Sequence, residues 1–343
     1  GEILGGFRIA LAVIAAAVVA LTYAVVAEVF DRQTGIVAGL LLAVSPLFLV
    51  QASVFLPYVP TFAWILLFGW AYFRADRTGD VRFAALAGLA IGVGFFARPY
   101  TAVLFATPFI VHALWSLRTL NRPAITCQVT TAALGLCGVG IALGYNALVT
   151  GSPLVFPYEA FAPFDGPGFG HREILGYERT YTPALALEAQ ARALRQYVTA
   201  WTPGGAIGGA LAVVGIAGVA TRALGWPSGW DTPRPPIRPL DRVAVLAGVA
   251  VSVTLGQWYF WGTLNALGNL SDPTDGLIAL LGPYYHLPLL LPTVGFAAYA
   301  LVTLARWLRA RLGDIDSRAA RSTALAGVVV VAGVAGVTAV GAV

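Results

Sequence analysis

The chain is 343 residues long, 58% hydrophobic and only 11% charged, with a mean hydropathy of +0.79. A soluble globular domain carries about 25% charged residues, so this composition excludes one and points to a chain whose solvent is the bilayer. The formal net charge of +5 rests on 21 arginines and no lysine; their placement along the chain explains it, and no nucleic-acid partner is expected.

A membrane span needs about 20 mostly apolar residues. Ten segments qualify, at roughly 7–29, 35–52, 58–73, 83–97, 99–117, 125–148, 206–224, 243–261, 286–307 and 322–342. The expected fold class is therefore all-α: a polytopic transmembrane helical bundle of about ten spans, forming a single transmembrane domain over 1–343. The chain contains no methionine and starts at Gly1 in what reads as a loop. A fragment trimmed at its N-terminus is expected.

The connections between spans alternate in character. One set is basic: "DRQTG", "RADRTGDVR", "RTLNRP", "PRPPIRPLDR" and "RWLRARLGDIDSRAAR". The other set holds one long loop, 149–205, and the acidic "NLSDPTDG". Fifteen of the 21 arginines fall on the side of the first set. The positive-inside rule places that side in the cytoplasm. The start of this chain is then outside, which calls for an upstream span. An integral protein of the cell membrane is expected, with the long loop, 149–205, on its extracytoplasmic side.

Between the fourth and fifth spans lies "GFFARPYTAV", Gly94 to Val103. A charge within the apolar zone costs a few kcal/mol and usually faces protein or a water-filled cavity. Pro99 lacks an N–H and suits the first turn of a helix, so the fourth span should end at Arg98 and the fifth begin at Pro99. About 15 residues make about 22 Å of helix, less than the roughly 30 Å of hydrocarbon. The hairpin tip can then lie below the outer surface, with Arg98 pointing at an anion such as a lipid phosphate. The alternative is an arginine snorkelling to the headgroups. His112, further along the fifth span, reads as a hydrogen-bonded packing residue.

The long loop opens with "NALVTGSPLVFPYEAFAPFDGPGFGHRE", which holds Glu159, Asp165, His171 and Arg172 among glycines and prolines. These groups could act as base, acceptor contacts and phosphate clamp, or be a solvated loop without chemistry. The glycines and prolines forbid a long regular element there. In "YTPALALEAQARALRQYVTAW", Thr182 is a plausible N-cap and Pro183 a first helical residue. Leu187, Ala191, Leu194 and Trp201 share one face; Glu188, Arg192 and Arg195 offer a polar one. An amphipathic interfacial helix near 183–201 is expected. In "LGPYYHLPLLLP", Tyr284 and Tyr285 are either membrane anchors or, with His286, ligand contacts.

The three histidines and two cysteines show no metal-ligand spacing, and Cys127 and Cys137 lie too far apart on one helix for a disulfide. No metal is expected. No phosphate loop with a lysine and no G-x-S-x-G element occurs. "NLS" at Asn269–Ser271 fits the N-glycosylation pattern.

Taken in order, "GIVAGLLLAVSPLFL", "GLAIGVGFFARPYTAVLFATP", "YNALVTGSPLVFPYEAFAPFDGPGFGHR" and "GPYYHLPLLLP" resemble membrane glycosyltransferases of the GT-C superfamily, of the dolichyl-phosphate-mannose–protein mannosyltransferase type. The resemblance implies an inverting transferase that takes a sugar from a polyprenyl-phosphate donor. The acceptor, a glycan, protein or lipid, would be served at the outer face among membrane lipids, with no cofactor. The family's best-known catalytic acid lies in the first external loop, a part this chain is expected to lack. On the same footing, Glu159 and Asp165 are candidates for a catalytic carboxylate and Arg98 and Arg172 for donor-phosphate binding. Tyr158, His171, Tyr284, Tyr285 and His286 are candidates for substrate contact. Family members often carry G-P-R-Y where this chain has Gly282-Pro283-Tyr284-Tyr285. A transporter or flippase for a lipid-linked or small polar substrate is the alternative; it would favour inverted repeats and midplane charges, whereas the polar residues here cluster toward one face. An assembly subunit docking through 183–201 is a third.

Overall fold

The computed structural model describes residues 2–119, 121–174, 177–224, 240–267 and 281–312. The last expected span, 322–342, and "NLSDPTDG" with its Asn269 lie outside the described residues. Most of what is described is helix. The helices are α1 (Glu2–Val29), α2 (Arg32–Ala43), α3 (Pro46–Ser53), α4 (Tyr58–Thr78), α5 (Val81–Ala97), α6 (Pro99–Ser116), α7 (Arg122–Thr150), α8 (Pro157–Phe161), α9 (Pro183–Gln196), α10 (Ala206–Ala223), α11 (Leu240–Tyr259) and α12 (Leu290–Leu312). Short 3-10 segments cover Trp261–Leu267 and Tyr284–Leu289, and a π-helical turn covers Tyr197–Trp201.

Helix stands at each of the first nine expected spans. Among the described residues, fewer helices than the ten expected spans are long and apolar enough to cross a bilayer. Gly6–Val29, Arg122–Thr150, Ala206–Ala223 and Tyr284–Ala310 suffice, and α2 with α3, bent by 59°, makes a fifth if the pair is one span. The reasons are local. α5 has 17 residues, about 26 Å; α4 carries Arg74, Asp76 and Arg77 near its end; α6 holds Pro99, Pro108 and His112.

The all-α class expected of the chain holds, with one addition in the loop after α8. Gly170–Ile174 (β1) and Tyr177–Tyr181 (β2) pair as an antiparallel hairpin, with His171 opposite Thr180, Arg172 opposite Arg179 and Glu173 opposite Glu178. Its inner side is Tyr181, fully buried with Ala186, Ala189, Trp261 and Leu264, and covered by Phe169, Ile174 and Trp258. The Tyr181 hydroxyl donates to the carbonyl of Trp258 at 2.8 Å. Two short strands are marginal on their own; this aromatic packing is what holds them.

The chain divides into two compact units interleaved in sequence. The first comprises 1–54, 196–246 and 290–343. In it α2 packs on α1 and α12, and α10 on α12. Phe30 sits against Phe296 and Tyr299, with centroids 6.1 and 5.0 Å apart. Two charge pairs close its polar end. Glu28 meets Arg242 at 3.8 Å, both buried, and Asp31 meets Arg306 at 2.6 Å.

The second unit comprises 55–195 and 247–289. α5 packs against α4 and α7. The α5–α7 crossing is close because both surfaces are glycine: a Cβ on Gly92 would come within 3.1 Å of the Gly138 Cα, the small-residue geometry of membrane helix pairs. Between α4, α6 and α7, the Tyr72 hydroxyl lies 2.7 Å from His112 Nδ1 and accepts from Gln128 Nε2 at 3.1 Å. His112 is thus the hydrogen-bonded packing residue expected of it.

The helix expected over 183–201 is present as α9 and its π turn, but a different face is buried. Ala186, Ala189, Gln190 and Ala193 face the protein, while Leu187 is exposed. Small alanines allow close packing on the aromatic cluster; Leu187 and Ala191 fall on the opposite side.

Candidate functional site

All residues in this section belong to the second unit. α5 ends where the chain cannot continue: Pro99 disfavours helical backbone at the residue before it, and Arg98 adopts φ −151°, ψ 86°. Its N–H still caps α5 by donating to the Gly94 carbonyl at 2.9 Å, and its carbonyl accepts from Ala102 at 3.0 Å to open α6. One residue therefore ends one helix and starts the next, and its side chain projects from the corner.

That side chain rests on aromatic rings. The Arg98 guanidinium carbon lies 4.0 Å from the Tyr58 centroid and 5.8 Å from that of Tyr285, and its Nε donates to Thr101 Oγ1 at 3.4 Å. Among the described residues no carboxylate pairs with it. Tyr58, Tyr284 and Tyr285 form one stack, with centroids 4.5 to 6.0 Å apart. Gly282 turns the chain into this stack at φ +70°, a left-handed conformation natural to glycine. A partly open hollow with room for about one water is lined by Arg98, Thr101, Tyr58, Phe62, Tyr284 and Tyr285, closed by Leu287 and Pro288.

The loop between α7 and β1 makes the second part. Glu159 Oε2 accepts from the Phe156 N–H at 3.1 Å and so fastens the start of α8. Asp165 is 9% exposed and accepts from the Tyr158 hydroxyl and from Trp261 Nε1. Burial pushes its carboxyl above the ordinary 3.8, against the lowering effect of the Trp261 N–H and of the Arg172 charge. Arg172 gathers the loop itself, donating to the carbonyls of Gly168 at 3.0 Å, Pro167 at 3.1 Å and Phe169 at 3.2 Å. His171 is exposed, against Phe164 and 3.7 Å from Glu173.

One short segment joins the two parts. The Phe260 ring lies 5.0 Å from Tyr285, its backbone bridges to Pro167, and the next residue, Trp261, donates to Asp165. Arg98, Tyr284, Tyr285, Asp165 and Tyr158 therefore belong to one contiguous patch. His286 does not face it: the ring is 1% exposed and meets Gln190 Oε1 at 3.1 Å, while Gln190 donates to the Thr254 carbonyl at 3.1 Å. The fork of Arg172 is occupied by backbone, and Glu159 by its helix start.

Sequence reasoning missed Tyr58, Thr101, Phe260 and Trp261. Their partners lie far along the chain, and no spacing announces such contacts. It also missed that His171, Glu173 and Glu178 come together, with ligand atoms all within 4.8 Å of one another. An H-x-E segment followed closely by a glutamate in a strand-like "YERTY" was the available signal.

Residues 4–161 match the family model described as dolichyl-phosphate-mannose-protein mannosyltransferase. The matched stretch carries Tyr58, Arg98, Tyr158 and Glu159 and ends before Asp165. No curated protein and no solved structure matches the chain.

Proposed function

We propose, from the match of residues 4–161 to the family model described as dolichyl-phosphate-mannose-protein mannosyltransferase, that this chain moves a sugar from a polyprenyl-phosphate donor to an acceptor with inversion. The reading keeps ten spans and an active face outside the cell membrane. The supporting observation is the patch itself: a guanidinium with no ion pair among the described residues, joined through Phe260 and Trp261 to a buried carboxylate.

The chemistry assigns roles as follows. The acceptor hydroxyl oxygen forms a bond to the anomeric carbon as the bond from that carbon to the phosphate oxygen breaks. The electron pair leaves with the polyprenyl phosphate, whose growing charge meets Arg98. A cation preset where charge develops lowers the barrier, commonly by a factor of about 10²–10³ per donor removed. The hydroxyl proton passes to a base; in this reading Asp165 takes that role, its raised affinity for a proton suiting the task. Tyr158 orients Asp165. Tyr284 and Tyr285 supply ring faces for the sugar, and His171 stands at the loop's exposed end. Arg172 shapes the loop, and His286 fixes the Tyr284–Leu289 segment through Gln190.

The test is transfer in liposomes from a polyprenyl-phosphate hexose, using the full natural chain. Transfer should fall about 10²-fold in Arg98→Ala and recover in part in Arg98→Lys. If the hexose is never transferred to a glycan, peptide or lipid acceptor, the function is wrong. If transfer survives Arg98→Ala intact, the phosphate site is wrong.

A further inference from the structure

We infer that the exposed face of the β1–β2 hairpin binds a divalent transition cation through His171, Glu173 and Glu178. The register places these three together: His171 and Glu173 are two apart on β1 and share a face, and Glu178 stands directly opposite Glu173. Their ligand atoms lie within 4.8 Å of one another. Bonds of about 2.0–2.2 Å from one ion to imidazole nitrogen and carboxylate oxygen require a modest closing of these exposed side chains.

The charge pattern makes the case stronger than proximity does. Like charges directly opposite on an antiparallel pair destabilise it, and this hairpin has two such pairs, one on each face: Arg172 with Arg179, and Glu173 with Glu178. On the first face Arg172 is met by three carbonyls. On the second, no arginine pairs with either glutamate among the described residues, and the chargeable neighbour is His171. A cation would turn that repulsion into a cross-strand link. One imidazole with two carboxylates is a borderline-to-hard donor set, suited to zinc or manganese.

The consequence reaches the loop. The link would join both strands of a short hairpin whose other face carries Arg172, which gathers the carbonyls of 167–169 just after Asp165. A bound cation would thereby fix the segment that presents Asp165.

The test strips the purified full chain with a chelator and titrates Zn²⁺ alone, then Mn²⁺ alone, by calorimetry. One equivalent should bind, and amides of 170–174 and 177–181 should gain protection from hydrogen exchange. Second-shell changes alone cost about 10–100-fold in metal affinity, so Glu178→Gln and His171→Asn should each weaken binding at least about tenfold. Glu188→Gln on α9 should leave it unchanged. The sign of one comparison separates a site from a solvated face. Without metal, Glu178→Gln should protect the hairpin more than the natural chain does; with metal, less. Failure of both ions to bind stoichiometrically, or unchanged binding in Glu178→Gln and His171→Asn, overturns the site. Because no step uses transfer activity, that failure leaves the proposed function standing.

Discussion

In the unit built on α1, α2, α10 and α12, acids meet arginines: Glu28 with Arg242, Asp31 with Arg306. In the unit built on α4 to α7 and the hairpin, Arg98 meets rings, Arg172 meets carbonyls, and Asp165 meets a hydroxyl and an indole N–H. A charge facing its opposite is neutralised, and its removal is felt as lost stability. A charge facing only rings or neutral dipoles keeps its net field, and its removal is felt by whatever ligand that field attracts. On the proposed function, this difference separates the structural pairs of the first unit from Arg98, whereas Arg172 spends its charge on holding the loop.

The largest effect expected is on stability. Glu28→Gln leaves Arg242 buried beside a neutral amide, and breaking a buried pair commonly costs about 3–5 kcal/mol. Denaturant unfolding in detergent should show that loss in the first unit. Arg98→Ala sharpens the contrast: a cation–π contact at a partly exposed site contributes only about 0.5–1 kcal/mol. Its unfolding midpoint should hardly move while transfer collapses. Equal destabilisation by both variants would erase the distinction.

How far the sequence carries this distinction depends on the range of the interaction. The corner at Arg98 was legible because proline acts on its immediate neighbour, and α5, α6 and α7 follow from apolar length. Among the described residues fewer helices than the ten expected spans are long and apolar enough to cross a bilayer, because Arg74, Asp76 and Pro108 dilute the apolarity of segments that still fold as helix. The hairpin was hidden by a composition rich in glycine, proline and charge, and its stability comes from Trp258 and Trp261, nearly eighty residues on. The seat of Arg98 on Tyr58 spans forty residues and has no period. His286 looked like a ligand group by its place beside two tyrosines, yet a buried glutamine on α9 takes it. Which of several neighbouring polar residues turns inward is set by packing that local pattern does not contain.

A third test concerns Asp165. Its carboxyl is held above 3.8 by burial, so the folded loop binds this proton more tightly than the unfolded chain does. That contribution to stability is complete below 3.8 and fades as pH rises through the raised folded value. Transfer that needs the ionised form should run the other way and rise through the same value. In Asp165→Asn the acid limb of the rate profile should flatten along with the fall in rate. An unchanged profile would remove Asp165 from the chemistry.

The smallest effect is the mirror image of this one. Asp31 is buried enough to be pushed up, but the Thr34 N–H, Arg306 and the Thr34 hydroxyl together outweigh that and hold its carboxyl below 3.8. The folded state therefore binds the proton less tightly than the unfolded chain. The contribution is fully present above 3.8 and is lost as pH falls through the lowered folded value. Asp31→Asn isolates the charge, because asparagine still caps a helix start and α2 keeps its bond from Thr34. For a pair still about a fifth exposed, the cost at neutral pH should be about 0.5–1 kcal/mol. It should vanish in acid, where natural and variant chains converge. Acid thus loosens the first unit's clasp while it favours the second unit's loop. Hydrogen exchange at neutral pH and at a pH well below 3.8 should show opposite changes around Asp31 and Asp165, and a common direction at both would break the comparison between the units.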